Sequence, residues 1–145
     1  MEYKFRNSSI FYRFFDKKSD VTNVYLHGWG CDHKQWIFCH KFLKNQSSLF
    51  IDFPPFGLSD KDIEDWTIFT YANMVISLCE KLNIRRINLI GHSFGGRVAI
   101  ILAVLCKKEV EKIVLVDSAG LKPRRGLGYY FKVVKFKILK TCLPI

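Results

Sequence analysis

Short apolar runs alternate with longer periodic stretches along this 145-residue chain. Tyr3 to Phe15 interleaves aromatic and polar residues, as two strands turning near Asn7-Ser8 would. Val24-Tyr25-Leu26, Leu49 to Phe53, Ile87 to Ile90 and Ile113 to Val116 are compact runs of branched and aromatic residues ended by turn formers. They read as buried strands. Between them, Phe69, Ala72, Val75, Ile76, Cys79 and Leu82 mark an amphipathic helix, and Val98, Ile101, Leu102 and Leu105 mark another. Ala99, Ile100, Ala103 and Val104 make the remaining sides of that second helix apolar, which predicts a helix buried all round. Strands alternating with helices predict an α/β fold with a mostly parallel sheet covered on both faces. In such a sheet the functional groups gather at the carboxyl ends of the strands.

Two motifs fall at such ends. Gly91-His92-Ser93-Phe94-Gly95-Gly96 lies between a predicted strand and a predicted helix. In a G-x-S-x-G turn the serine sits on a strained elbow with its oxygen exposed, and small neighbours let strand and helix pass close together. Gly91 and Gly95 meet that need. A serine hydroxyl is a weak nucleophile until a base removes its proton and donors stabilise the oxyanion that forms. The second motif, His27-Gly28-Trp29-Gly30, follows the strand that ends at Leu26.

Together these motifs resemble the α/β-hydrolase family, and the His-Gly-Trp-Gly form is most similar to its small esterases. Asp52-Phe53-Pro54-Pro55-Phe56-Gly57-Leu58-Ser59 resembles the family's Asp-x-Pro-Gly-x-Gly-x-Ser segment, with Pro55 where glycine is usual. The resemblance runs over about residues 1 to 120 and is specific for fold and serine chemistry but weak for substrate. It implies Ser93 as nucleophile, the backbone N–H groups of Trp29 and Phe94 as oxyanion donors, and His27 as a residue that orients the oxyanion loop. Relatives that open epoxides or remove halides place aspartate at the nucleophile position, so serine argues against both. The implied reaction is hydrolysis of an ester, thioester or related acyl bond in a small substrate, with acyl transfer and carbon–carbon bond hydrolysis left open and no cofactor.

The four histidines, His27, His33, His40 and His92, all precede Ser93. The family's triad follows the chain order serine, acid, histidine. Asp117 is the one acid after Ser93 placed at a strand end, and a catalytic role for it stands beside a loop-capping or pocket-lining one. No downstream histidine exists, and in a comparable triad loss of the base costs on the order of a millionfold in turnover. The expectation is therefore the N-terminal part of a hydrolase core, split or truncated after its sixth strand and nearly inactive alone, with the missing histidine in a continuation of the chain or on a complementing chain. The alternative is a non-catalytic remnant or interaction module. His92 is expected to pack against the sheet, and His33 and His40, flanking Trp36, to face solvent. Cys31, Cys39 and His40 lack a matching second pair of ligands, so no zinc site is expected.

Charge changes the picture at one end only. The chain carries +10, yet residues 1–120 hold 16 basic and 13 acidic residues, a net of +3. Residues 121–145 hold seven Lys or Arg and no acid. The boundaries that follow are a core portion over 1–120 and the basic start of a lid over 121–145. Leu127, Tyr130, Phe131, Val134 and Ile138 share one helical face there, with Lys132 and Lys135 towards another. A lid over the active site and a helix at an anionic membrane surface are the competing readings. Nucleic acid is not an expected partner, because no binding module accompanies the charge. Five cysteines without framework spacing, with no apolar signal segment and no run long enough to span a bilayer, suit a cytoplasmic location.

Overall fold

The computed structural model describes residues 1–61, 64–106, 109–120 and 126–142. Six strands form one sheet: β1 (Glu2–Phe5), β2 (Ser8–Phe15), β3 (Val21–Leu26), β4 (Ser47–Ile51), β5 (Arg86–His92) and β6 (Glu109–Val116). Their spatial order is β1-β2-β4-β3-β5-β6. β1 and β2 make an antiparallel hairpin across Arg6-Asn7, and β2 runs antiparallel to β4. From β4 onward every pairing is parallel. The sheet is thus mostly parallel, as the alternation of strands and helices predicts.

Two helices cover one face. α2 (Ile68–Lys81) begins at a capping box in which Thr67 and Thr70 each accept the other's backbone N–H. α3 (Phe94–Leu105) starts directly at the Ser93 turn. Val75 and Leu78 of α2 and Val98, Ala99 and Leu102 of α3 bury themselves with Val24, Leu26, Ile51, Ile87 and Leu89 of the strands. The opposite face is covered by α1 (Lys34–Ile37) and the 3₁₀ turn Phe38–Lys41. There Tyr25 stacks on Phe50 with ring centroids 4.6 Å apart and meets Trp36 at 5.9 Å. Burial pushes the Tyr25 hydroxyl up to about 12, with the neighbouring Cys39 thiol adding to it.

Expectation and structure part company along one edge. α3 is not buried all round: Val104 is 80% exposed and Leu105 is exposed as well. Its inner side faces β3, β5, β6 and α2, while its outer side has no covering element among the described residues. β6 shares that edge, with Ile113, Val114 and Val116 exposed. α4 (Leu127–Cys142) follows the core, and none of its described side chains joins the hydrophobic cluster. No helix among the described residues is long and apolar enough to cross a membrane.

Candidate active site

Register brings the strand ends level. Leu26 pairs with both Ile51 and Gly91, and His92 pairs with Val116. The residues that follow, His27, Asp52, Ser93 and Asp117, therefore lie along one rim of the sheet.

Ser93 occupies the sharp turn there, at φ 47° and ψ −109°. A non-glycine residue reaches such a conformation only when its surroundings impose it. Here they do so through backbone bonds on both sides. Ser93 N–H donates to Val116 O at 3.1 Å, and Ala119 N–H donates to Ser93 O at 3.1 Å. Gly91 and Gly95 make the turn sterically possible. A Cβ on Gly91 would lie 2.6 Å from Gly95 O, and one on Gly95 would overlap the carbonyls of Leu26 and His27. Serine at a helix N-cap ordinarily accepts a backbone N–H of the first turn, but Ser93 makes no such bond. Its hydroxyl is left uncommitted to the helix.

The loop after β3 is held against this turn. A Cβ on Gly28 would stand 2.6 Å from His92 Nδ1 and 3.5 Å from Ser93 Cβ, so the Gly28 backbone touches the elbow itself. Cys31 N–H closes the loop onto Gly28 O at 3.1 Å, and Gln35 Oε1 accepts Gly28 N–H at 3.1 Å. Trp29 projects from the loop, 61% exposed, with its ring edge-on to Phe94 at 5.2 Å and Phe56 at 4.8 Å. Phe94 in turn contacts Phe53 and Tyr71. An aromatic floor thus runs beside the serine.

Two of the four histidines are committed to other hydrogen bonds and two are packed without a partner at Nδ1. His27 is buried; its Nε2 accepts Phe53 N–H at 2.7 Å, which leaves Nδ1–H to donate to Gly28 O at 2.8 Å. Desolvation lowers its pKa, opposed by the Gly28 carbonyl and the Asp52 charge. A ring with no free lone pair is not a base for Ser93. His33 departs from the expectation of solvent exposure. It is 6% exposed, and its backbone N–H and ring Nδ1 both bond Asp52 Oδ1, at 2.6 and 2.9 Å. A buried carboxylate attracts every donor in reach, and Asp52 also accepts Leu58 N–H at 2.9 Å. His40 is likewise not a solvent-facing residue: its ring stacks on Phe15 at 3.8 Å and its Nδ1 is buried without a partner. His92 Nδ1, packed on Gly28, is also buried and unpaired.

Asp117 is exposed, at φ 43°, one residue beyond the Val116–His92 pair and so next to the elbow. The structure therefore brings Gly28, Trp29, Ser93, Phe94 and Asp117 to one place and supplies no histidine to join Asp117 to Ser93. Asp52, His33 and Gln35 are contributors that the motifs alone do not reveal as a set. Asp52 was visible as the head of the Asp-x-Pro segment, but its partners depend on how two loops meet in space. Among the described residues no three His, Cys, Asp or Glu side chains converge as metal ligands would.

Comparison with known proteins points the same way. The family model described as alpha/beta hydrolase fold matches residues 24–134. The chain is 33% identical over 99 residues to a dihydrolipoyllysine-residue acetyltransferase component of the acetoin cleaving system of Pseudomonas putida, covering 68% of this chain and 27% of that protein. It is 29% identical over 126 residues to a candidate esterase/lipase of Haemophilus influenzae, covering 84% of this chain and 43% of the relative. Among solved structures, Est816, described as an enzyme degrading N-acyl homoserine lactones, superposes with a TM-score of 0.75 at 22% identity. That match covers 93% of this chain and 54% of Est816 and concerns the fold. The chain thus spans less than half the length of these two curated relatives.

Proposed function

The chain belongs to the alpha/beta hydrolase fold family, and from that premise we propose that it carries the nucleophile and oxyanion half of a serine hydrolase acting on an ester, thioester or related acyl bond. Ser93 Oγ, giving its proton to the base, attacks the acyl carbonyl; collapse of the tetrahedral adduct expels the alcohol or thiol, which takes up that proton, and water then hydrolyses the acyl-enzyme to the acid and free Ser93. The N–H groups of Trp29 and Phe94 hold the oxyanion, one from the loop after β3 and one from the residue after the nucleophile. Support comes above all from one observation, the seating of the Gly28 backbone against an elbow whose serine hydroxyl caps nothing. The aromatic side chains of Trp29, Phe56 and Phe94 beside it, backed by the buried Phe53, suit an apolar acyl group.

In this reading the general base comes from polypeptide outside these 145 residues, either continuous with them or on a complementing chain. Asp117, at the elbow, is the candidate acid. A second reading, a non-catalytic remnant or interaction module that keeps the half-fold, draws on the commitment of His27 and His33 to other bonds. Turnover of a short-chain aryl ester by the purified chain tests the division of labour. The expected rate is indistinguishable from that of Ser93→Ala. Robust turnover abolished by Ser93→Ala would mean that these residues already hold a complete site.

A further inference from the structure

α4 presents an apolar surface that the rest of the molecule leaves uncovered. Leu127, Tyr130, Phe131 and Val134 recur at i, i+3, i+4 and i+7, which places them on one face of the helix. Leu127 is 80% and Phe131 75% exposed, and Tyr130 and Val134 are more than half exposed. None of the four belongs to the core cluster. Lys135 borders that face and Lys132 lies further round on the same side, Tyr129 and Phe136 are exposed on the opposite side, and residues 118–145 contain no acid at all. At 16 residues the helix is about 24 Å long, enough to lie along a surface and too short to cross a bilayer.

We propose that α4 is a surface-binding helix whose occupant is an anionic lipid bilayer. Exposed aromatic and aliphatic side chains interspersed with lysines, and without a single acid, suit a helix held in the headgroup region of an anionic bilayer. Its lysine stems run along the apolar surface while their ammonium groups reach the phosphates. Charge decides against a second copy as the occupant. Helix-to-helix pairing would set Lys132 and Lys135 against their own kind, on a molecule that already carries +10. A negatively charged membrane complements both the rings and the lysines. The inference is independent of the chemistry at Ser93.

Co-sedimentation of the chain with vesicles tests it. The chain is expected to pellet with phosphatidylcholine–phosphatidylglycerol vesicles and to stay in solution with phosphatidylcholine alone. Each lysine near an anionic surface contributes roughly fivefold to partitioning, so K132Q/K135Q should weaken binding roughly 25-fold. F131S/V134S should abolish it. These positions lie outside the core, and unchanged circular dichroism shows that the body remains folded. Failure to pellet with phosphatidylglycerol vesicles overturns the proposal, as does pelleting that neither double variant reduces. So does a chain that F131S/V134S converts from dimer to monomer without any vesicle binding in the parent.

Discussion

Ser93 is held in a backbone conformation that serine does not favour, and its surroundings carry the cost. A residue at φ 47° outside the ordinary regions costs on the order of 1–3 kcal/mol, which glycine largely avoids. Ser93→Gly should therefore raise stability by roughly 1 kcal/mol in urea unfolding, after allowance for the freer unfolded chain. Equal or lower stability would mean that the turn stores no strain. His27 makes a second prediction at this scale. Burial lowers its pKa below the unfolded value, so the unfolded chain binds the extra proton as pH falls through about 6.5. Stability is retained above that pH and lost below it, with a slope of at most about 1.4 kcal/mol per pH unit from this group. His27→Gln should flatten the fall in urea midpoint on acidification. An unchanged profile would assign the acid sensitivity to other groups.

At the scale of elements, the loop after β3 and the loop after β4 are joined through Asp52. Its carboxylate satisfies two backbone N–H groups and the His33 ring in a dry setting. Asp52→Ala would leave all three donors unpaired, at about 1–3 kcal/mol each, and should lower stability by at least about 3 kcal/mol in denaturant unfolding. A loss below about 1 kcal/mol would show that water replaces the carboxylate. Much of this level could be read in the sequence. The strand and helix positions and the elbow follow from local periodicity and glycine spacing, and the role of the His-Gly-Trp-Gly loop from its resemblance to the family's motif. The solvent-facing assignment of His33 failed because its surroundings are made by Asp52, which lies 19 residues away on another strand end. Periodicity reports which face of its own helix a residue takes, not what a neighbouring loop lays over it. Phe69 shows the same limit: it fits the apolar pattern of α2, yet it sits at the first turn, beyond the packed zone, and is 53% exposed.

At the scale of the molecule, the uncovered edge formed by β6 and the outer side of α3 explains why a helix apolar on every side is not buried all round. Apolar residues there match a core that these residues do not enclose. Ile113, Val114 and Val116 on an edge strand, beside Val104, form a surface prone to association. Val114→Lys should therefore reduce light scattering of concentrated solutions while leaving the unfolding midpoint nearly unchanged. Equal scattering would place the sticky surface elsewhere. The same edge bears on activity, because Ser93 and Asp117 stand at its rim and, among the described residues, no histidine lies between them. The most direct measurement is mass-spectrometric detection of a phosphonate adduct on Ser93, with and without added imidazole as a substitute base. An oxyanion half lacking only its base predicts slow labelling that imidazole accelerates and Ser93→Ala abolishes. Rapid labelling without imidazole would mean that a base is already in place. An unlabelled Ser93 under both conditions would contradict a functional nucleophile altogether.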